Sequence, residues 1–312
     1  MVNAISSRRE FLRDTVLATA MTGAMTAVTK AGSRRLHVAC NQYPWGTFYA
    51  REKRDFNALL DSGLAEVKAS GNDGFEPGVG GLEQIEQMMP LLKKHGLEMR
   101  SLYVNSTLHE AGLADQSIEE VLAAAAKAKA FGTRIIVTNP SPIRWGGPEN
   151  KTDEQLTVQV AALDKLGAKL QQMGLTLAYH NHDMELRNAA REFHHMMIGT
   201  DPANVTLCLD AHWIYRGSGN SQVALFDVVK LYGPRITELH LRQSQNSVWT
   251  EAFGPGDIDY PRLADGLLKI GVKPLLVLEQ AVEAGSPNTM NVIEAFKRST
   301  EYTRQTFAGF GA

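Results

Sequence analysis

The chain has 312 residues, 44% hydrophobic and 21% charged, the balance of an ordinary globular protein with enough apolar surface for a sizeable core. Its formal net charge of −2, without a basic stripe interleaved with aromatics, gives no support to a nucleic-acid partner or an anionic membrane surface. The two cysteines, Cys40 and Cys208, read as small buried hydrophobes rather than a disulfide.

The first segment carries Arg8 and Arg9, then Phe11 and Leu12, then a weakly apolar stretch over 15–28. That stretch falls short of the roughly 20 apolar residues a membrane span needs, so no stable membrane insertion is expected. A positive head, a short apolar middle and small residues describe an export signal. The paired arginines give it a twin-arginine character over residues 1–33. The expected consequences are the twin-arginine export machinery as a partner, a periplasmic or otherwise exported location, and a single domain over 34–312.

From there short β-rich runs alternate with helical patterns, as in a parallel sheet with crossover helices. Strands are expected at 36–40, 74–78, 98–104, 134–138, 175–180, 205–210, 236–242 and 275–279. The first ends at a turn signal, Pro44-Trp45-Gly46. Helices are expected over 53–70, 83–95, 153–173, 222–232 and 260–270, with Gly96 and Gly174 as C-terminal caps. Another helix is expected to start at Ser117, in a capping box with Glu120. Eight such units in one chain are the count of a closed (β/α)8 TIM barrel. An open doubly wound sheet is the rival, but no Gly-x-Gly-x-x-Gly turn follows the first strand.

Active sites of such barrels lie at the C-terminal strand ends. There the last four strands read Tyr179-His180-Asn181-His182-Asp183, Leu209-Asp210-Ala211-His212-Trp213, Glu238-Leu239-His240-Leu241-Arg242 and Leu278-Glu279-Gln280. Strand alternation sends the leucines outward to the helices and Cys208, Asp210, Glu238, His240, Arg242 and Glu279 inward. His180 and His182 share the inward parity, with His182 one pleat further out. Two imidazoles and two carboxylates converging on one volume form a mixed nitrogen and oxygen site suited to Mn, Zn, Co or Mg. The metal-free alternative, mutual hydrogen bonding, is costly because it buries carboxylates without a cation.

At these motifs the sequence resembles the xylose-isomerase-like TIM barrels of sugar isomerases and epimerases, inosose dehydratases among them. The resemblance spans nearly everything after the signal, including a glycine turn at Gly254-Pro255-Gly256-Asp257. It implies metal ligands at His180, Asp210, His240 and Glu279, with His182 as the alternative fifth-strand ligand or a hydroxyl partner. It implies substrate contacts from His182, Trp213, Arg242 and Glu185, and catalytic roles for Glu279, His212 and Glu76. One departure stands out: the ketose epimerases carry a glutamate where this chain has His180. A metal-bound imidazole does not replace that second base, so a two-glutamate mechanism does not transfer intact.

The expected activity is metal-dependent isomerisation or epimerisation of a sugar or keto-sugar through an enediolate. The alternatives are a lyase or dehydratase acting on a keto-sugar, keto-glycoside or inosose, and a non-catalytic periplasmic sugar-binding barrel. The oligomeric state stays open, a homo-oligomer included.

Overall fold

The computed structural model describes residues 35–311, so the signal expected over 1–33 lies outside the described residues. In chain order, β1 (Val38–Asn41), α1 (Gln42–Arg51) and α2 (Leu60–Ala69) lead to β2 (Gly74–Glu76) and β3 (Gly78–Val79). Next come α3 (Leu82–His95), β4 (Ser101–Val104), α4 (Ala114–Lys129), β5 (Ile135–Thr138), α5 (Asp153–Gln172) and β6 (Thr176–His180). Then follow α6 (Arg187–Gly199), β7 (Val205–Asp210), α7 (Ala211–Gly217), α8 (Gln222–Tyr232) and β8 (Ile236–Leu241). A small hairpin, β9 (Ser244–Gln245) and β10 (Val248–Trp249), precedes α9 (Tyr260–Lys269), β11 (Leu275–Leu278) and α10 (Val292–Thr306).

Apart from the hairpin, every pairing is parallel, in the order β2-β1-β11-β8-β7-β6-β5-β4-β3. The nine short strands occupy eight barrel positions, because β2 and β3 are two pieces of one strand. Pro77 divides them; it has no N–H for the ladder. β2 pairs with β1 and β3 with β4, which nearly closes the ring. The expected (β/α)8 barrel is the observed fold.

Alternation divides the core as the sequence predicts. Leu177, Leu207, Leu209, Leu239, Leu241, Leu276 and Leu278 belong to the large apolar layer between sheet and helices. Val137, Ala178 and Cys208 form a separate cluster with Tyr103 and Ile135 inside the barrel. The cysteines are free and lie in different layers, Cys40 accepting the Trp45 indole N–H at 3.2 Å.

Local departures have local causes. The segment read as a turn at Pro44 is helical, because Asn41 caps α1 by accepting the Tyr43 N–H. A proline in the first helical turn gives up an N–H that has no intrahelical partner. α2 starts at Leu60 rather than at 53. α4 starts at Ala114, and Ser117 is no cap: its Oγ accepts the Thr107 N–H at 2.9 Å. Gly96 does end α3 in the left-handed conformation, with φ 63°. The hairpin turns through Asn246 and Ser247 at φ 52° and 66°, the double left-handed turn that suits a two-residue hairpin loop.

Candidate metal and catalytic site

β6, β7, β8 and β11 are successive barrel neighbours, with His180 opposite Cys208 and Asp210 opposite His240. Glu279 follows β11 by one residue, its N–H bonded to Leu241 O at 2.9 Å. This register brings ligand atoms of His180, Asp210, His240 and Glu279 within 4.8 Å of one another, all four side chains buried.

Asp210, His240 and Glu279 are each held by neighbours. Asp210 is the N-cap of α7: its Oδ1 accepts the Trp213 N–H at 2.8 Å. Asn181 extends the β6–β7 ladder by one step, its amide donating to Asp210 O and accepting the Asp210 N–H, both at 3.2 Å. The His240 Nδ1 stands 2.5 Å from Glu279 Oε2, and its Nε2 stands 3.0 Å from Glu76 Oε1 and 3.1 Å from Glu238 Oε1. Arg242 Nε donates to the Glu279 carbonyl at 2.9 Å, and its Nη2 lies 3.0 Å from Glu279 Oε1. The buried guanidinium sits over Trp249 and Trp213, at 4.3 Å and 4.8 Å from the ring centres.

The charges follow from these neighbours. Burial works against an ionised Glu279, but His240 and Arg242 hold it well below the usual carboxylate range. Burial pushes Asp210 up to about 7, against the pull of Arg242. His180 is lowered by burial, and His182 lies well below its ordinary value through burial and the nearby His180. Burial also opposes charge on His240, yet Cys208, Glu76 and Glu279 together raise it. Beneath it Glu238 is raised by burial and by Glu76; Glu76, despite burial, is lowered to about 2 by His240.

The four residues fit a divalent cation. Neither ring nitrogen of His180 has a hydrogen-bond partner, and neither does Asp210 Oδ2, although all are buried. Unpartnered buried polar atoms are costly, and a cation among them would take up one ring nitrogen of His180 and Oδ2 of Asp210 at once. Two nitrogens and two carboxylate oxygens are a donor set for borderline divalent ions.

Above the cluster opens a cavity of about 1120 Å³. Of the residues expected at the site, His182, Trp213, Arg242 and Glu279 line it. His182 packs edge-on against Trp145 at 5.0 Å, and its Nδ1 has no partner. Glu185 stands behind this wall: its Oε2 accepts the His182 N–H at 2.6 Å and its Oε1 the Asn139 amide at 3.1 Å. Burial and Glu192 raise it to about 7. The structure does not bring Glu76 or His212 to the cavity either. Glu76 lies beneath His240, where its Oε1 also accepts the Asn41 amide at 2.6 Å. His212 is turned into a pocket beside Trp213, Tyr215 and Trp249, where burial lowers it to about 2. Residues the sequence left without a role include Glu238, Tyr43, Trp145 and Trp249. Only Glu238 carried a signal, its inward parity on β8.

A family model described as xylose isomerase-like TIM barrel matches residues 64–305. An inosose dehydratase of Bacillus anthracis is 28% identical over 199 residues, which span 59% of this chain and 63% of that protein's length. Among solved structures, a D-allulose 3-epimerase from Methylomonas sp., in complex with D-allulose, superposes with a TM-score of 0.67 at 15% identity, covering 88% of this chain and 98% of that one. A xylose isomerase-like barrel protein from Mycobacterium smegmatis, in complex with magnesium, gives a TM-score of 0.66 at 14% identity, covering 90% of this chain and 99% of that one.

Proposed function

We propose that this chain, which belongs to the xylose isomerase-like TIM barrel family, is a divalent-metal-dependent enzyme that removes a proton next to the carbonyl of a keto-sugar and expels the β-substituent. The observation that carries the reading is the isolation of Glu279. It is the one carboxylate of the four-residue cluster on the cavity wall, and His240 and Arg242 keep it ionised. The other acidic lining residues, Asp55 and Asp183, belong to loops outside the cluster.

His180, Asp210, His240 and Glu279 would hold the ion, a Mn, Zn, Co or Mg, which would polarise the substrate carbonyl and so acidify the neighbouring C–H. Glu279 takes the proton from the carbon beside the carbonyl. The C–H electron pair becomes the new C=C bond, and the C–O bond to the β-substituent breaks. The proton on Glu279 leaves with that oxygen as water or an alcohol. One carboxylate suffices for transfer on a single face of the substrate, whereas inversion needs a second group opposite. Arg242 keeps Glu279 charged and supports negative charge on the substrate oxygen. His182, neutral and on the wall, donates to or accepts from a hydroxyl. The inosose dehydratase relative supports elimination over the isomerisation that the sequence motifs place first.

Isomerisation or epimerisation is the second reading, favoured by the unpartnered His182 Nδ1, a group able to return a proton. Product analysis on metal-loaded protein, with keto-hexoses and an inosose as substrates, separates the two. Products that have lost water or an aglycone are expected. An isomer of unchanged mass with no eliminated product would overturn the leading reading in favour of the second. Sugar binding with no turnover of any substrate would leave a non-catalytic binding barrel. The Arg8-Arg9 segment belongs to the same reading as an export address, which places the reaction outside the cytoplasm.

A further inference from the structure

The end of the barrel opposite the cluster holds a second cavity, of about 930 Å³. It lies at the strand starts: Ile135 opens β5, Leu275 opens β11, Thr237 is the second residue of β8, and His37 directly precedes β1. Because every barrel strand runs parallel, these positions share the N-terminal mouth, whereas His240 and Glu279 belong to the other end.

The first feature of its lining is charge. Arg35, Lys93, Arg100, Arg134 and Lys273 line the cavity against a single carboxylate, Glu98. Glu98 is taken by Arg100 Nε at 2.6 Å, and Arg35 stands 3.6 Å from Asp73. Lys93 and Arg134 are exposed and have no ion pair among the described residues. A recess lined by one sign of charge concentrates ions of the other.

The second feature is a buried donor. The His37 side chain is only 10% exposed, and neither of its ring nitrogens has a hydrogen-bond partner. Burial and the nearby Arg100 lower it to about 4, so the ring is neutral and has one N–H to give. A buried donor without an acceptor is costly, and an oxyanion in the cavity would accept from it.

The third feature is an apolar floor. Met89, Leu92, Leu97 and Met99 are buried along the same lining. Phe131, in the α4–β5 connection, adds a ring that is 52% exposed. A bare inorganic anion would leave this surface in water.

We propose that the N-terminal mouth of the barrel binds an amphiphilic organic anion, its oxyanion head held by His37 and the basic lining and its apolar body laid on the methionine and leucine floor. The cavity is recessed among the strand starts, so the ligand is a free acid rather than a lipid held in a bilayer. The inference is independent of the reaction proposed for the cluster at the other end.

Calorimetric titration of the full, metal-loaded chain with octanoate, acetate and 1-octanol reads both halves of the ligand. Octanoate should bind at least about tenfold more tightly than acetate, which lacks the apolar body, and than octanol, which lacks the charge. Lys93→Glu and Arg134→Glu should each weaken octanoate by about fivefold or more and leave octanol unchanged. Both side chains are exposed and far from the cluster, so fold and metal content should be unaffected. His37→Leu should also weaken octanoate, and His37→Gln, which keeps a donor, should recover part of the loss. Octanoate that does not bind, or binds no better than octanol or acetate, would overturn the site. So would undiminished binding in both charge-reversed variants, or capture of the chain by phosphatidylglycerol vesicles without affinity for octanoate.

Discussion

Asp210 divides its carboxylate between two tasks: Oδ1 accepts the Trp213 N–H at 2.8 Å, and Oδ2 faces the cluster with no hydrogen-bond partner. One residue thus ends β7, starts α7 and supplies a ligand atom. The two tasks are separable. Asp210→Asn keeps a capping oxygen but loses the anionic ligand, so it should lose bound metal with little change in melting temperature. Asp210→Ala should lose both, the cap alone being worth about 1 kcal/mol. Elemental analysis and thermal melts check this, with about one divalent ion per chain expected in the wild type. Stoichiometric metal in both variants would refute the assignment.

Metal affinity should fall as the solution becomes more acidic. Burial raises Asp210 to about 7, and His240 is raised as well, so the protein freed of metal holds protons there that a ligand must give up. Binding measured at about pH 8 should therefore be tighter than at about pH 6, and uptake should release protons to the buffer. The sign is fixed: both groups bind metal only when deprotonated. Calorimetry in buffers of different ionisation enthalpy reads the released protons. Affinity independent of pH across this range would contradict the ligand set.

Glu76 has contacts that suit a positioning role for His240, and we propose that role for it. It lies 3.0 Å from His240 Nε2, on the side away from Glu279. Glu76→Ala should weaken metal binding by about 10–100-fold, as loss of the group that orients a ligating histidine does. Glu76→Gln, which retains an acceptor oxygen, should recover much of it. An effect on turnover alone, with metal affinity unchanged in both variants, would return Glu76 to a role at the substrate.

The site was legible where alternation alone decides it. Leucines flanking Asp210, His240 and Glu279 define which way each strand faces, and that parity is local. Height along the barrel axis is not local. Glu76 and His240 meet because of the β2–β1, β1–β11 and β11–β8 registers, which depend on strand stagger around the ring. For the same reason the sequence could not separate Glu185, which supports the loop behind His182, from residues on the cavity wall. His212 was placed by helix rather than strand geometry: α7 begins at Ala211, so Trp213 reaches the cavity and His212 does not. α1 was missed because Pro44 and Gly46 look like a turn when the Asn41 cap is not weighed. Trp145 sits in a Pro- and Gly-rich loop whose course no periodicity encodes.

Export rests on residues outside the described structure. If Arg8 and Arg9 are read by the twin-arginine machinery, replacing both with Lys should trap the precursor in the cytoplasm, measured by cell fractionation. Undiminished export of that variant would remove the assignment.

In the proposed reaction Glu279, with a divalent ion beside it, takes the proton next to a substrate carbonyl. Incubating an inosose or keto-hexose in deuterated water tests it most directly, by following loss of the proton beside the carbonyl with mass spectrometry. The expected result is exchange or elimination with the metal-loaded protein, and neither with the metal-stripped protein nor with Glu279→Gln. Equal proton loss with and without metal, or undiminished loss in Glu279→Gln, would contradict the claim.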